Sequence, residues 1–140
     1  MTWFHTKPFP LMPYAFEAIN FFLERNIKIA CASSGTKDEV HLKLKKSGFL
    51  SLFPIIATGS DVLRGKPFPD IYTFAVNSLK LKPENCLAFE DTQYGVAAAK
   101  SAGLRCFAIP NEFTHEQDFS RADAVFENLK EAISSLSHEK

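Results

Sequence analysis

The 140-residue sequence lacks an excess of either charge: sixteen basic side chains stand against sixteen acidic ones, for zero net charge. Nothing in that balance points to a nucleic-acid or acidic-membrane partner. Long hydrophobic runs are missing too, since no apolar stretch approaches the ~20 residues that a membrane span requires. Cysteine is scarce. Cys31, Cys86 and Cys106 each sit inside an apolar, strand-like run and none forms a C-x-x-C pair. Buried free thiols in a reducing, cytoplasmic setting are therefore expected. The opening MTWFHTKPFPLMP has a single lysine, three prolines and no continuous apolar core, so it is not expected to act as a signal peptide. No G-x-S-x-G is present to mark a serine hydrolase. His5, His41, His115 and His138 have no zinc-like spacing and read as structural or solvated. There is no repeat and no low-complexity tract.

What remains is an alternation of short apolar runs and helical patterns. Phe16, Ile19, Phe22 and Leu23 fall on one face of a helix over 14–25. IKIACAS (27–33) reads as a buried strand. Thr36 and Glu39 form an S/T-x-x-E capping box opening a helix that stops at Gly48. FPIIATG (53–59) is the next strand, followed by a loop and a helix over about 70–79. CLAFE (86–90) is a third strand, and an Ala-rich helix follows it to Gly103. RCFAIP (105–110) is a fourth strand, DAVFE (123–127) a short fifth, and a last helix buries Leu129, Ile133 and Leu136. Strands alternating with helices through short connections predict an α/β fold, a Rossmann-like three-layer parallel sheet, within one domain.

In such sheets ligands bind beyond the carboxyl ends of the strands. Three polar groups fall there. The SSGT turn, Ser33 to Thr36, offers hydroxyls and a helix start whose N–H groups suit an anion. Thr36 reads as a cap; Ser33 lies too early to cap and could equally turn the chain or donate to a phosphate oxygen. Lys66 stands between Gly65 and Pro67, with Pro69 beyond, on an unusually constrained backbone. Taken alone, a loop lysine is more often solvated. Glu90 and Asp91 close the third strand. Side by side, two carboxylates raise each other's pKa unless a cation lies near, and either Lys66, a metal ion, or both would answer that need. A carboxylate at this edge suits Mg²⁺, although Asp91 or Thr92 could instead cap the helix that follows.

KIACASS, GKPFPDIY and AFEDTQYGVAAAKSAG resemble the second, third and fourth motifs of the haloacid dehalogenase (HAD-like) superfamily, in its β-phosphoglucomutase-like and sugar-phosphate phosphatase group. IPNEFTHEQDFSRADAV is similar to the tail of that group, so the resemblance runs from Leu11 onward. It implies that Ser33, with Ser34 beside it, holds a phosphoryl group. Lys66 would bridge that group and a nucleophilic aspartate. Asp91 would ligate Mg²⁺, with Glu90 supporting the metal site. The implied enzyme is a phosphatase or phosphomutase working through an aspartyl-phosphate on a small phosphate ester, most naturally a sugar phosphate. A response-regulator receiver fits less well, because there the acids precede the lysine.

The family's first motif, Asp-x-Asp-x-Thr, is not in this sequence. The resemblance therefore implies a partial core over residues 1–140, with about ten residues of Pro- and aromatic-rich lead-in and no cap domain. It also implies that the mid-sheet nucleophile strand is lacking, and that the chain is unstable, self-associates through unpaired edges, or closes the gap irregularly. Two functions are open at this point. One is a phosphoric-ester hydrolase or phosphomutase that works only in a complete form. The other is a truncated, inactive family member that binds a phosphorylated ligand or a protein partner.

Overall fold

The computed structural model describes the backbone of residues 2–5 and residues 13–139 in full. Strands β1 (Thr2–His5), β2 (Lys28–Ser33), β3 (Ile55–Thr58), β4 (Cys86–Glu90), β5 (Arg105–Ala108) and β6 (Ala124–Val125) form one sheet in the order β3-β2-β1-β4-β5-β6. Every pairing is parallel. Helices α1 (Ala15–Glu24), α2 (Lys37–Ser47), α3 (Asp70–Ser78), α4 (Gln93–Ser101) and α5 (Leu129–Ser137) make up the outer layers. The α/β, Rossmann-like reading therefore holds.

The mid-sheet gap expected from the sequence is corrected. Thr2–His5 fills it as a regular strand, with Phe4 level with Ala30 on one side and Ala88 on the other. The physical reason is that β2 and β4, both buried, each need ladder partners, and a single parallel strand supplies both. The sheet edges are now β3 and β6, so unpaired strands beside the gap no longer give a reason for self-association. The rest of the expected lead-in, from residue 6 to about 10, lies outside the described residues.

Strand alternation sorts side chains by size. Ile29, Cys31, Leu87, Phe89 and Phe107 join the core under α1, α2 and α5. Ala30, Ala32, Ala57, Ala88 and Ala108 face α3 and α4. Large residues fill the first layer, while small ones on the second let Ala98 and Ala99 of α4 pack close to the strands. The face that α1 buries is Ala15, Ala18, Ile19 and Phe22, spaced i, i+3, i+4, i+7. Phe16 and Leu23, expected on that face, are exposed, and Phe16 stacks on Phe49 at its margin instead. All three cysteines are buried free thiols, and burial pushes the Cys31 thiol up to about 12, outweighing the lowering effect of Lys66. No helix among the described residues is long and apolar enough to cross a membrane.

Candidate functional site

The carboxyl ends of β2 and β4 flank that of β1, and Ser33, Glu90 and Asp91 lie at or directly after those ends. Lys66 arrives from the loop between β3 and α3. Its Nζ lies 2.7 Å from Glu90 Oε1 at the end of β4 and donates to the Ala32 carbonyl, 3.3 Å away, at the end of β2. Because His5 is level with Cys31 and Phe89, the ammonium bridges the two neighbours just beyond the last residue of β1. The side chains of Lys66 and Glu90 are 10% and 2% exposed. Lys66 is thus not the solvated loop lysine that its type alone would suggest.

The loop that carries Lys66 is clamped from outside. Arg64 Nε and Nη2 donate to the two carboxylate oxygens of Asp70 at 3.1 and 2.8 Å, and the guanidinium lies over the Phe68 ring. Hydrogen bonding to Arg64 holds the Asp70 carboxyl below its usual range.

Two features keep Glu90 in place, and sequence reasoning had assigned neither to the site. The Tyr72 hydroxyl, on α3, donates to the same Oε1 that Lys66 holds. Gly95, on α4, leaves room for the other side of the carboxylate: a Cβ there would stand 1.9 Å from Glu90 Oε2. Its five-residue offset from Glu90, placing it one turn into the following helix, was the available signal.

Asp91 has a different partner. Asn111 Nδ2, in the loop after β5, donates to Asp91 Oδ2 at 3.0 Å. Asn111 is itself fixed, since its Oδ1 accepts from Phe113 N and its own N–H donates to Thr114 Oγ1. Gln93 ties the same loop to α4: its N–H donates to Gln117 Oε1, and its Oε1 accepts from Asp118 N. The cap of α4 is Thr92, whose Oγ1 accepts from Gly95 N, so Asp91 is not used as the cap. The adjacent acids are therefore separated by partner: Lys66 and Tyr72 for Glu90, Asn111 for Asp91.

Ser33 and Ser34 follow Ala32 directly, at the end of β2. The Ser33 hydroxyl accepts a long bond from Gly35 N, 3.4 Å. Gly59 presses this turn against the end of β3, where its N–H donates to Gly35 O at 2.8 Å. A Cβ at Gly59 would fall 2.4 Å from the Ser34 carbonyl oxygen. Thr36 caps α2 by accepting from Glu39 N, whereas the full reciprocal box sits at Thr58 and Asp61. The start of α2 offers an anion less than expected, because Lys37 N already donates to Ser60 Oγ and Glu39 N to Thr36.

A Mg²⁺ ion needs hard oxygen ligands, typically one or two carboxylates completed by phosphate and water. Asp91 fits as one such ligand by type and by place. Glu90 Oε1 is committed to Lys66 and Tyr72. Among the described residues, no group of three or more His, Cys, Asp or Glu side chains could hold a metal ion.

The family model for haloacid dehalogenase-like hydrolases matches residues 2–109. Protein CbbY of Rhodobacter capsulatus is 37% identical over 127 residues, covering 87% of this chain and 55% of that protein. The phosphorylated carbohydrates phosphatase of Thermotoga maritima is 34% identical over 110 residues, with 78% of this chain and 51% of that protein aligned. The crystal structure of CbbY from Rhodobacter sphaeroides in complex with phosphate superposes with a TM-score of 0.82 at 33% identity, covering 86% of this chain and 55% of that one. The chain thus spans about half the length of these relatives. With motifs, sheet order and family model in agreement, this chain belongs to the haloacid dehalogenase-like hydrolase family.

Proposed function

We propose that the crevice beyond β2, β1 and β4 holds the phosphate group of a small phosphate ester, with Ser33, Ser34 and Lys66 as its phosphate-binding residues. The observation that carries this is the state of Lys66. An ammonium has three N–H donors, and the described residues take two, at Ala32 O and Glu90 Oε1. One donor remains for a ligand oxygen, on a cation whose charge is already offset and whose position is fixed. A sugar phosphate is the natural ester class, since relatives such as the phosphorylated carbohydrates phosphatase act on phosphorylated sugars by name.

Chemistry of the family type needs a carboxylate nucleophile, and it would come from β1 or just after it. This sequence has no acidic residue before Glu17. The chain as written is a phosphate-holding half-site: Lys66 and Ser33 orient and neutralise the phosphoryl group, and a carboxylate supplied to the end of β1 would complete a phosphatase or phosphomutase. When bound, Mg²⁺ would offset charge on the phosphoryl oxygens, with Asp91 as the ligand this chain contributes. The catalytically silent reading, a module that binds a phosphorylated ligand or a protein partner, is favoured for the chain alone by that missing carboxylate. The three buried thiols fit a reducing, cytoplasmic setting.

The test uses 4-nitrophenyl phosphate with and without Mg²⁺. Ligand-observed NMR is expected to show saturable binding, while absorbance shows no sustained release of nitrophenolate. Absence of binding would refute the phosphate site. Sustained release abolished by Asp91→Asn would show that the chain does contain a nucleophile and would overturn the half-site reading.

A further inference from the structure

Tyr72 is fully buried within the core under α3 and α4, among Ile71, Ala75, Val76 and Ala88. A phenylalanine would fill that space as well, so packing does not call for the hydroxyl. A buried hydroxyl needs a partner, and this one has a specific target: it donates to Glu90 Oε1, the oxygen that also receives Lys66 Nζ. The Lys66 ammonium lies 5.5 Å from the Tyr72 ring centroid. Tyr72 therefore touches both members of the ion pair, through its oxygen and its ring face. Burial, reinforced by the nearby Glu90 charge, keeps the phenol protonated and hence a donor.

The remaining freedom of Glu90 is small. Oε1 is held by two donors and the Oε2 side is closed by Gly95. Lys66 enters from a loop braced by Arg64 and Asp70, and its Nζ is held at the other end by Glu90 at 2.7 Å and, by a longer bond of 3.3 Å, by the Ala32 carbonyl. Without the Tyr72 hydroxyl, the carboxylate could turn about its last torsion, and Lys66 would follow it away from the end of β1.

We propose that Tyr72 is a positioning residue of the phosphate site: its hydroxyl fixes the Glu90 carboxylate and, through it, aims the remaining N–H of Lys66 at a phosphoryl oxygen. This rests on the phosphate reading given above.

The experiment compares wild type with Tyr72→Phe by two readouts. The first, taken without ligand, is the exchange of the Lys66 ammonium protons with water, followed on the ¹⁵Nζ resonance; it is expected to quicken about tenfold as the pair loosens. The second is the dissociation constant of inorganic phosphate, expected to rise about tenfold, a change of ~1.4 kcal/mol. An unchanged Lys66 resonance overturns the inference, even with weaker phosphate binding, because a merely structural tyrosine would behave that way. If wild type binds no phosphate, the phosphate reading falls, and the Lys66 resonance still decides whether Tyr72 holds the pair. Wild type alone gives a further check that needs no variant: the Tyr72 hydroxyl proton should be slowly exchanging and shifted downfield. Its absence would also overturn the inference.

Discussion

Replacing Lys66 with methionine is expected to destabilise the fold by about 3–5 kcal/mol, read as a fall in the urea midpoint without a change in slope. The reason is what it leaves behind. Glu90 is 1% exposed, and its nearest cation is the Lys66 ammonium at 2.7 Å. A carboxylate stripped of that partner cannot reach water to recover its solvation, and the Tyr72 hydroxyl alone does not replace a full charge. The same logic predicts a partial rescue. In Lys66→Met combined with Glu90→Leu, both charges are gone and apolar atoms of similar volume fill the space, so much of the lost stability should return. The Ala32 carbonyl then loses its Lys66 donor and the Tyr72 hydroxyl its bond to Glu90, at about 1–3 kcal/mol. A single substitution costing under about 1 kcal/mol would mean that the pair is solvated in solution. A double variant as weak as the single one would mean that the cost lies in packing rather than in the orphaned charge.

Gly95→Ala is expected to destabilise by about 3 kcal/mol, where a helical Gly→Ala change ordinarily stabilises by up to ~1 kcal/mol. The sign turns on one contact. A Cβ at Gly95 would lie 1.9 Å from Glu90 Oε2 and 2.2 Å from Glu90 Cδ, far inside any tolerable separation. Glu90 cannot swing aside without leaving Lys66 and Tyr72, and α4 cannot lift without separating Ala98 and Ala99 from the sheet side of the core. The cost is therefore tied to the ion pair. In a Glu90→Ala background, which removes the clashing atoms, adding Gly95→Ala should cost far less, and this non-additivity is read directly from a double-mutant cycle by urea denaturation. Equal costs in the two backgrounds would place the clash elsewhere.

The fold was legible in the sequence because β2 and β4 are short runs buried almost throughout, and the helices that follow them open on side-chain caps at Thr36 and Thr92. CLAFE became β4 with the same bounds, and Gly48 ends α2 in the left-handed conformation, φ 81°. The strand at Thr2–His5 was read as lead-in because prolines follow it closely. Four consecutive β-favouring residues were there to be seen, yet four residues carry too little periodicity to distinguish a strand from an extended arm. The α1 face was misjudged for a related reason: large apolar residues drew attention, while the buried stripe is half alanine.

At the site, the type of neutralisation was legible and its geometry was not. Lys66 stood out as a fixed cation and Glu90–Asp91 as a pair needing one. Which acid it would serve depends on where α3 and the loop after β5 place Tyr72 and Asn111. Those residues are 18 and 20 positions from their carboxylates, and neither has a local pattern that announces it. Gly95 lies within the Ala-rich helix without a pattern of its own; the atoms it makes room for belong to the Glu90 carboxylate.

The most direct measurement is a calorimetric titration of inorganic phosphate into wild type and into the Lys66→Met, Glu90→Leu double variant, each first shown to be folded. A phosphate site centred on Lys66 predicts saturable, one-to-one binding to wild type and none to the double variant. Equal binding to both, or no binding to wild type, would contradict it.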